Sequence, residues 1–404
     1  MLNLTYEFKL KPTAKQVAIF EDWLEQCRRV YNYALAERKD WFKSRSCQIN
    51  ACSIRSEYII PADTPRPTYA SQCNALTAYR KTSDALQSVQ SQVLQQTLKR
   101  LEKAFVSMWE QNHGFPRFKK AGNMRSFVFP QLGVNPVHDR GVKLPKIGLV
   151  KFHQSRSIPD GARVKQARIV RRVSGWYVML ILQWEVSIPS ILPHGEGLGI
   201  DVGLTNFIAT SNGLLVKRQR FFIDAQRKLK LLQQRVSRKQ LGSNNWKRAS
   251  EKVAKLHEYI ANSRKDWHWK LADQICQDAG TIFVEDLNLV GLSKAMLGKH
   301  CLDAGWGQFF TILEQACFKR GVYFQKVSAH KTSQICPNCG VETGKKQLSE
   351  RVHSCSNCGY TTDRDVAAAQ VVLIRGLAAV GHTVKMLGED KFVGIPATQE
   401  SSPL

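Results

Sequence analysis

The sequence predicts an α+β multidomain protein, with β-structure interrupted by a long helical segment in its N-terminal half and short apolar strands alternating with helices in its C-terminal half. Three observations carry this reading. The apolar period switches from two to three or four near residue 13 and returns to two after the stretch GFPRFKKAGNMRSFVF at 114–129. A Pro/Gly-rich joint, SIPSILPHGEG at 187–197, marks the preferred domain boundary. Two Cys-x-x-Cys pairs near the C-terminus have metal-ligand spacing. At 404 residues the chain can bury two or three cores.

In order along the chain, YEFKLKP puts Tyr6, Phe8 and Leu10 on one face and stops at Pro12, as a strand ending in a turn does. Phe20, Trp23, Leu24, Cys27, Val30, Tyr31 and Ala34 then recur at helical spacing, as do Leu86, Val89, Val93, Leu98, Leu101, Phe105 and Met108. Residues 44–75, rich in Ser, Pro and Thr, read as a loop or irregular insertion. In WYVMLILQWEV, Trp176, Val178, Leu180, Leu182 and Trp184 share a strand face, and the preceding Ser174-Gly175 suits a tight hairpin. GLGIDVGLTNFIATSNGLLV reads as two apolar β-rich runs joined by Asn212-Gly213. Basic helices follow, then the strand TIFVED at 281–286, the amphipathic helix WGQFFTILEQACFKRG closing on Gly321, and the strand GVYFQKVS. The last twenty-odd residues read as a frayed tail.

Charge narrows the partners. Lys and Arg outnumber Asp and Glu by 59 to 33, a formal net charge of +26 that points to a polyanion. A merely basic, ribosome-like surface is the bland alternative, and uneven distribution argues against it. Residues 217–270 hold 16 Lys/Arg against 4 Asp/Glu, whereas residues 271–404 hold 13 of each. The start of the chain has no apolar run of the kind a signal peptide carries, and nothing in the sequence is apolar for long enough to span a bilayer. Eleven cysteines in that context suit a reducing compartment, where pairs hold metal more often than they form disulfides.

Cys336-Pro-Asn-Cys339 and Cys355-Ser-Asn-Cys358 have the spacing of a two-knuckle zinc ribbon, with Gly340 and Gly359 letting the backbone turn around the ion. Four thiolates fill a tetrahedral shell, so the zinc expected here is structural, and His353 reads as a surface or stacking residue. Cys47 and Cys52 have no second pair to complete a site.

Three carboxylates carry the chemistry. Asp201 lies inside the apolar strand GIDVG, where an unpartnered acid is costly; Glu285 ends TIFVE; Asp365 opens the helical run DVAAAQVVLIRG. Acids converging from two strand ends and a helix make a site for hard divalent cations and two-metal phosphodiester hydrolysis. Each also has a purely structural reading: a strand-end turn for Asp201, a helix-start acid pair for Glu285-Asp286, and a cap with a dipole-facing acid for Asp363 and Asp365.

With these motifs in view, the chain resembles the TnpB proteins of insertion sequences, the apparent ancestors of type V CRISPR effectors. The resemblance runs over YEFKLKPTAKQ, RRVYNYAL, GFPRFKKAGNMRSFVF, GIDVGLTNFIATSNG, the basic helical segment, VEDLNLVGL, and HKTSQICPNCG through TDRDVAAAQ. It implies a β-barrel wedge domain (1–12 and 116–190) with a helical recognition insertion (13–115), then an RNase H-like (RuvC) α/β nuclease domain (197–329 and 361–381). A zinc ribbon (330–360) is inserted in the nuclease domain, and a tail (382–404) follows. It implies Asp201, Glu285 and Asp365 as catalytic Mg²⁺ ligands for two ions, and Cys336, Cys339, Cys355 and Cys358 as zinc ligands. The partners implied are a guide RNA from the protein's own locus, one chain per RNA, and a target DNA cut beside a short flanking motif, in a prokaryotic cytoplasm. One departure stands out: the family's Asn two residues after the third acid is Ala367 here, which loosens the case for full activity without removing a ligand. Trp246, Trp267 and Trp269 are available for core packing or base stacking, and Tyr31, Asn32, Arg117 and Lys119 for nucleic-acid contact. The rival readings are an RNA-guided repressor that binds without cutting and an accessory transposase.

Overall fold

The computed structural model describes residues 2–46, 60–138, 140–186, 190–347 and 349–381, and the chain divides into two units, Met1–Ile188 and Pro189–Leu404. Cys47, Cys52, the first residues of the Pro/Gly joint and the 382–404 tail lie outside the described residues.

In the first unit, β1 (Leu2–Lys11) is followed by α1 (Ala14–Ser46), α2 (Tyr69–Arg80), α3 (Asp84–Ser88) and α4 (Ser91–Glu110). Then come β2 (Ser126–Phe129), β3 (Val137–His138), β4 (Gly141–Leu144), β5 (Gly148–His153), β6 (Arg163–Arg172) and β7 (Gly175–Trp184). These seven strands form one antiparallel sheet in the order β2-β6-β7-β1-β5-β4-β3. Its centre is β1, which pairs with β7 from Leu2↔Trp184 to Lys9↔Tyr177 although the two are far apart in sequence. Trp176, Val178, Leu180 and Leu182 are buried alternately, as their period of two requires. Arg172 pairs directly with Gly175, so the hairpin turn is Val173-Ser174 and Gly175, at φ +127°, begins the strand.

The helix stripes Phe20–Leu35 on α1 and Val93–Phe105 on α4 are buried against the same core. Both ends of the segment read as irregular over 44–75 are helical, since α1 runs to Ser46 and α2 starts at Tyr69 behind a Thr68/Ser71 capping box, while residues 47–59 lie outside the described residues. Two residues offered for nucleic-acid contact are otherwise employed. Tyr31 is only 2 % exposed. The Asn32 side chain grips the Lys119 backbone at both ends, donating from Nδ2 to its carbonyl (2.9 Å) and accepting at Oδ1 from its amide (2.8 Å).

The second unit is built on β8 (Gly197–Val202), β9 (Asn206–Thr210), β10 (Leu215–Lys217), β11 (Thr281–Asp286) and β12 (Tyr323–Ser328), in sheet order β10-β9-β8-β11-β12. The first three are antiparallel neighbours; β8, β11 and β12 run parallel. Asn212-Gly213 makes the β9–β10 turn, with Gly213 at φ +92°. The run before it is two strands where one was expected, because the chain reverses at Gly203–Thr205; a Cβ on Gly203 would already press on the Asn206 carbonyl. The helices are α5 (Phe221–Ser237), α6 (Asn244–Ile275), α7 (Leu289–Lys294), α8 (Gly298–Ala304), α9 (Trp306–Arg320) and α10 (Arg364–Ala379). Between β12 and α10, the small ladder β13 (Val352–Ser354)/β14 (Thr361–Asp363) belongs to the cysteine knuckles.

Candidate active site and metal centre

Strand parity sorts the second sheet into two faces. Leu198, Ile200, Ile282 and Val284 join the core formed with Leu271 and Ile275 of α6 and Phe309 and Leu313 of α9. The alternate residues face α10: Gly199 touches it, and Phe283 clusters with its Val372, Leu373 and Leu377. Asp201 follows Gly199 by two residues, and Glu285 follows Phe283 by two. Both acids therefore emerge on the α10 side at the C-terminal ends of adjacent strands, in the register Phe283↔Gly199 and Val284↔Ile200.

Two glycines seat α10. A Cβ on Gly199 would lie closer than 3.0 Å to the Ala369 carbonyl oxygen, and one on Gly376 would enter the Phe283 ring. Each allows backbone to approach where a side chain would hold the helix away. Asp363 caps the helix, accepting from the amides of Asp365 (2.8 Å) and Val366 (3.3 Å), so the structural reading of that acid applies to it. Asp365, in the first turn, is thereby carried to the strand ends.

Burial raises the Asp201 pKa well above the ordinary carboxylate range, and the charges of Glu285 and Asp365 and a hydrogen bond shared with Glu285 raise it further. Burial also raises Glu285, against the pull of hydrogen bonds from Thr332 and Asp201 and of the Arg375 charge. Among the described residues, the four cysteines are the group whose ligand atoms all lie within 4.8 Å of one another.

Two side chains that sequence reasoning passed over complete the site. Asn206, at the start of β9, donates from Nδ2 to Asp365 Oδ2 at 3.1 Å. Thr332, in a one-turn 3₁₀ helix (Thr332–Gln334), donates from its hydroxyl to Glu285 Oε1 at 2.5 Å. The signals were available in GLTN after Asp201 and KTSQ before Cys336, yet neither spacing says which acid it serves. Ala367 is 2 % exposed on the buried face of α10, where a polar amide would need its own partner.

Cys336 and Cys358 Sγ atoms are 3.7 Å apart, and those of Cys339 and Cys355 are 3.6 Å apart. A tetrahedral ion with bonds of about 2.3 Å to sulfur sets its ligands about 3.8 Å apart, so the knuckles fit one ion. His353 is buried at 1 %, its Nδ1 beside Lys346 Nζ, which corrects the surface expectation; its place is the knuckle interior.

The basic segment is α5 and α6. Arg227, Lys228, Lys230 and Arg235 of α5, Arg238 and Lys239 in the connection, and Lys247, Arg248 and Lys252 of α6 are exposed. Two of the segment's four acids are used in one-turn pairs, Glu251 with Lys255 and Asp266 with Lys270. Trp267 packs edge-on against Phe207 at 4.7 Å, and Trp269 is partly buried under Lys319, so both serve the core; Trp246 is half-buried behind the Ser243 cap. Among the described residues no helix is long and apolar enough to cross a membrane.

Comparison with known proteins follows the same layout. A family model described as "Probable transposase" matches residues 185–296, one described as "Cas12f1-like, TNB domain" matches 306–372, and a "Helix-turn-helix domain" model matches 1–47. That last span is here a strand followed by one unbroken helix. "Putative RNA-guided DNA endonuclease InsQ" of Escherichia coli (strain K12) is 29% identical over 417 residues, covering 99% of this chain and 97% of its own. A "Putative RNA-guided DNA endonuclease" of Streptomyces pristinaespiralis is 29% identical over 381 residues, covering 93% and 89%. The protein in "Cryo-EM structure of the Cas12f1-sgRNA-target DNA complex" shares the fold at a TM-score of 0.53 and 14% identity, over 89% of this chain and 83% of that one.

Proposed function

The chain belongs to the TnpB family, and from that premise we propose that it is a transposon-associated, RNA-guided DNA endonuclease that hydrolyses phosphodiester bonds with divalent metal ions. The observation that carries the proposal is the pair of acids at adjacent parallel strand ends, Asp201 and Glu285, sharing a hydrogen bond beneath the first turn of the helix that bears Asp365. A raised, mutually repelling carboxylate pair is costly in a merely structural role and is stabilised by a hard cation. Asp201, Glu285 and Asp365 would hold Mg²⁺ ions there, which when bound would supply an activated water and stabilise the leaving oxygen. The chain's own part is to hold three acids on one face, orient two of them through Asn206 and Thr332, and shield Glu285, 5 % exposed, from bulk water.

In the same reading, Cys336, Cys339, Cys355 and Cys358 hold a structural zinc ion, since four thiolates leave no place for water. Residues 197–329 and 361–381 are the RNase H-like (RuvC) nuclease domain around the ribbon of 330–360. Residues 1–12 and 116–190 form the β-barrel wedge, and 13–115 the recognition insertion. The exposed cations of α5 and α6 track the phosphates of guide RNA and target DNA. Base pairing then reads the target, and the protein reads a short flanking motif.

The test is cleavage of a target plasmid library, randomised beside the target, by protein purified with RNA expressed from its own locus, with and without Mg²⁺. Guide-dependent and Mg²⁺-dependent cutting that disappears in Asp201→Ala, with target binding retained, is the expected result. Binding without cutting by the unaltered protein would replace the nuclease with a repressor.

A further inference from the structure

The four-cysteine module joins the rest of its unit at two roots, and each root ends on a candidate catalytic acid. On the outgoing side, β14 runs into α10, where Asp363 caps the turn that carries Asp365. Arg364 secures that junction by donating to the Gln347 and Glu350 carbonyls (2.8 and 3.2 Å). On the incoming side stands the 3₁₀ turn of Thr332–Gln334. The Gln334 carbonyl accepts from the Thr343 amide (2.7 Å), the Cys336 amide donates to the Val341 carbonyl (2.9 Å), and Lys331 pairs with Glu342 (2.7 Å). The turn is thus built into the first knuckle, and its position depends on the knuckle's fold.

Thr332 is 6 % exposed, and its hydroxyl has two acceptors in range: Glu285 Oε1 at 2.5 Å and the Ala329 carbonyl at 3.4 Å. The short bond goes to the carboxylate. A carboxylate's last torsion is broad, so a donor fixed on one oxygen narrows the orientation of the other. With Oε1 held from the knuckle side, Oε2 is directed away from Thr332.

We propose that Thr332 is a positioning residue through which the four-cysteine module sets the orientation of Glu285, and with it the affinity of the acid cluster for divalent cations. The inference rests on the reading of Asp201, Glu285 and Asp365 as cation ligands. It makes the metal knuckle part of the catalytic geometry, in addition to a prop for the fold.

The experiment compares Thr332→Val, Thr332→Ser and Thr332→Ala with the unaltered ribonucleoprotein. Mn²⁺ binding is read by the paramagnetic resonance of free Mn²⁺, alongside zinc content, melting temperature, target binding and the Mg²⁺ dependence of cleavage. The expected result is a loss of Mn²⁺ affinity of about 10-fold or more in Thr332→Val and Thr332→Ala, matching the size of other outer-sphere losses. The Mg²⁺ concentration for half-maximal cleavage should rise in parallel, target binding should hold, and Thr332→Ser should remain close to the unaltered protein. Should valine disturb the fold, serine and alanine differ by the hydroxyl alone and decide the same question. Equal Mn²⁺ affinity in serine and alanine variants overturns the proposal. Asp201→Ala serves as the control: if it too binds Mn²⁺ like the unaltered protein, the reading of the acid cluster fails, independently of Thr332.

Discussion

Asp201→Asn should make the metal-free protein more stable while abolishing its cleavage. Asp201 sits against Glu285 at hydrogen-bonding range, within reach of the Asp365 charge, and burial raises its pKa well above the ordinary value. Two unit charges about 4 Å apart at an effective dielectric of about 20 repel by about 4 kcal/mol. A shared proton and partial solvent access relieve much of this, leaving about 1–2 kcal/mol for an isosteric neutral amide to recover. For a unit of this size that corresponds to a rise of about 2–8 °C in melting temperature. Because the folded pKa is raised, the native state holds the extra proton. The stability this contributes is complete below the unfolded value of about 3.9 and is lost as pH rises through the raised folded value. The advantage of the asparagine variant should therefore grow with pH and vanish at the acid end. Thermal unfolding in EDTA over a pH series measures this directly. Adding Mg²⁺ should stabilise the unaltered protein and leave the variant nearly unmoved, because in the proposed reading the Asp201 carboxylate is one of the ion's ligands. A variant less stable than the unaltered protein at pH 8 in EDTA, or a difference independent of pH, would refute the account of the cluster as repelling carboxylates.

Other consequences are as direct. Gly199→Ala puts a methyl into the Ala369 backbone and should cost about 1–3 kcal/mol or more in chemical denaturation, with cleavage falling because α10 carries Asp365. Asn206→Ala removes the amide from Asp365 Oδ2 and should lower cleavage about 10- to 100-fold at limiting Mg²⁺ without changing target affinity; unchanged kinetics would mean the contact is incidental. Cys339→Ser should reduce zinc from one equivalent per chain to none by elemental analysis and lower the melting temperature, so an unchanged metal content would exclude the ribbon. Neutralising Arg227, Lys228, Lys247 and Arg248 together should flatten the dependence of nucleic-acid affinity on log salt by about 3–4, and a slope unaltered from the parent would place the phosphate contacts elsewhere.

Much of the local structure was legible because it is written in periods and punctuation. The strand 281–286, the helix stopped by Gly321 in its left-handed conformation and the Asn212-Gly213 turn depend on neighbours in sequence, and each formed as read. The irregular reading of 44–75 failed at its edges, since the Thr68 cap and the continuation of α1 are hydrogen-bond choices that composition does not report. Tyr31 and Asn32 looked available for a ligand because side-chain type says nothing of burial, and packing had already used both.

By itself, the sequence determined part of the inventory: the strands at 281–286 and 323–328, the longer helices, the cysteine quartet, the basic segment and the three acids to look for. Tertiary structure alone decided the convergence. Asp201 and Glu285 share a face because parallel pairing aligns Gly199 with Phe283, and Asp365 reaches them because two glycines let α10 settle on the sheet. Asn206 and Thr332 acquire their roles only there. A hydrogen bond between residues 47 or 159 positions apart depends on where the backbone returns, and neither residue type nor spacing carries that information.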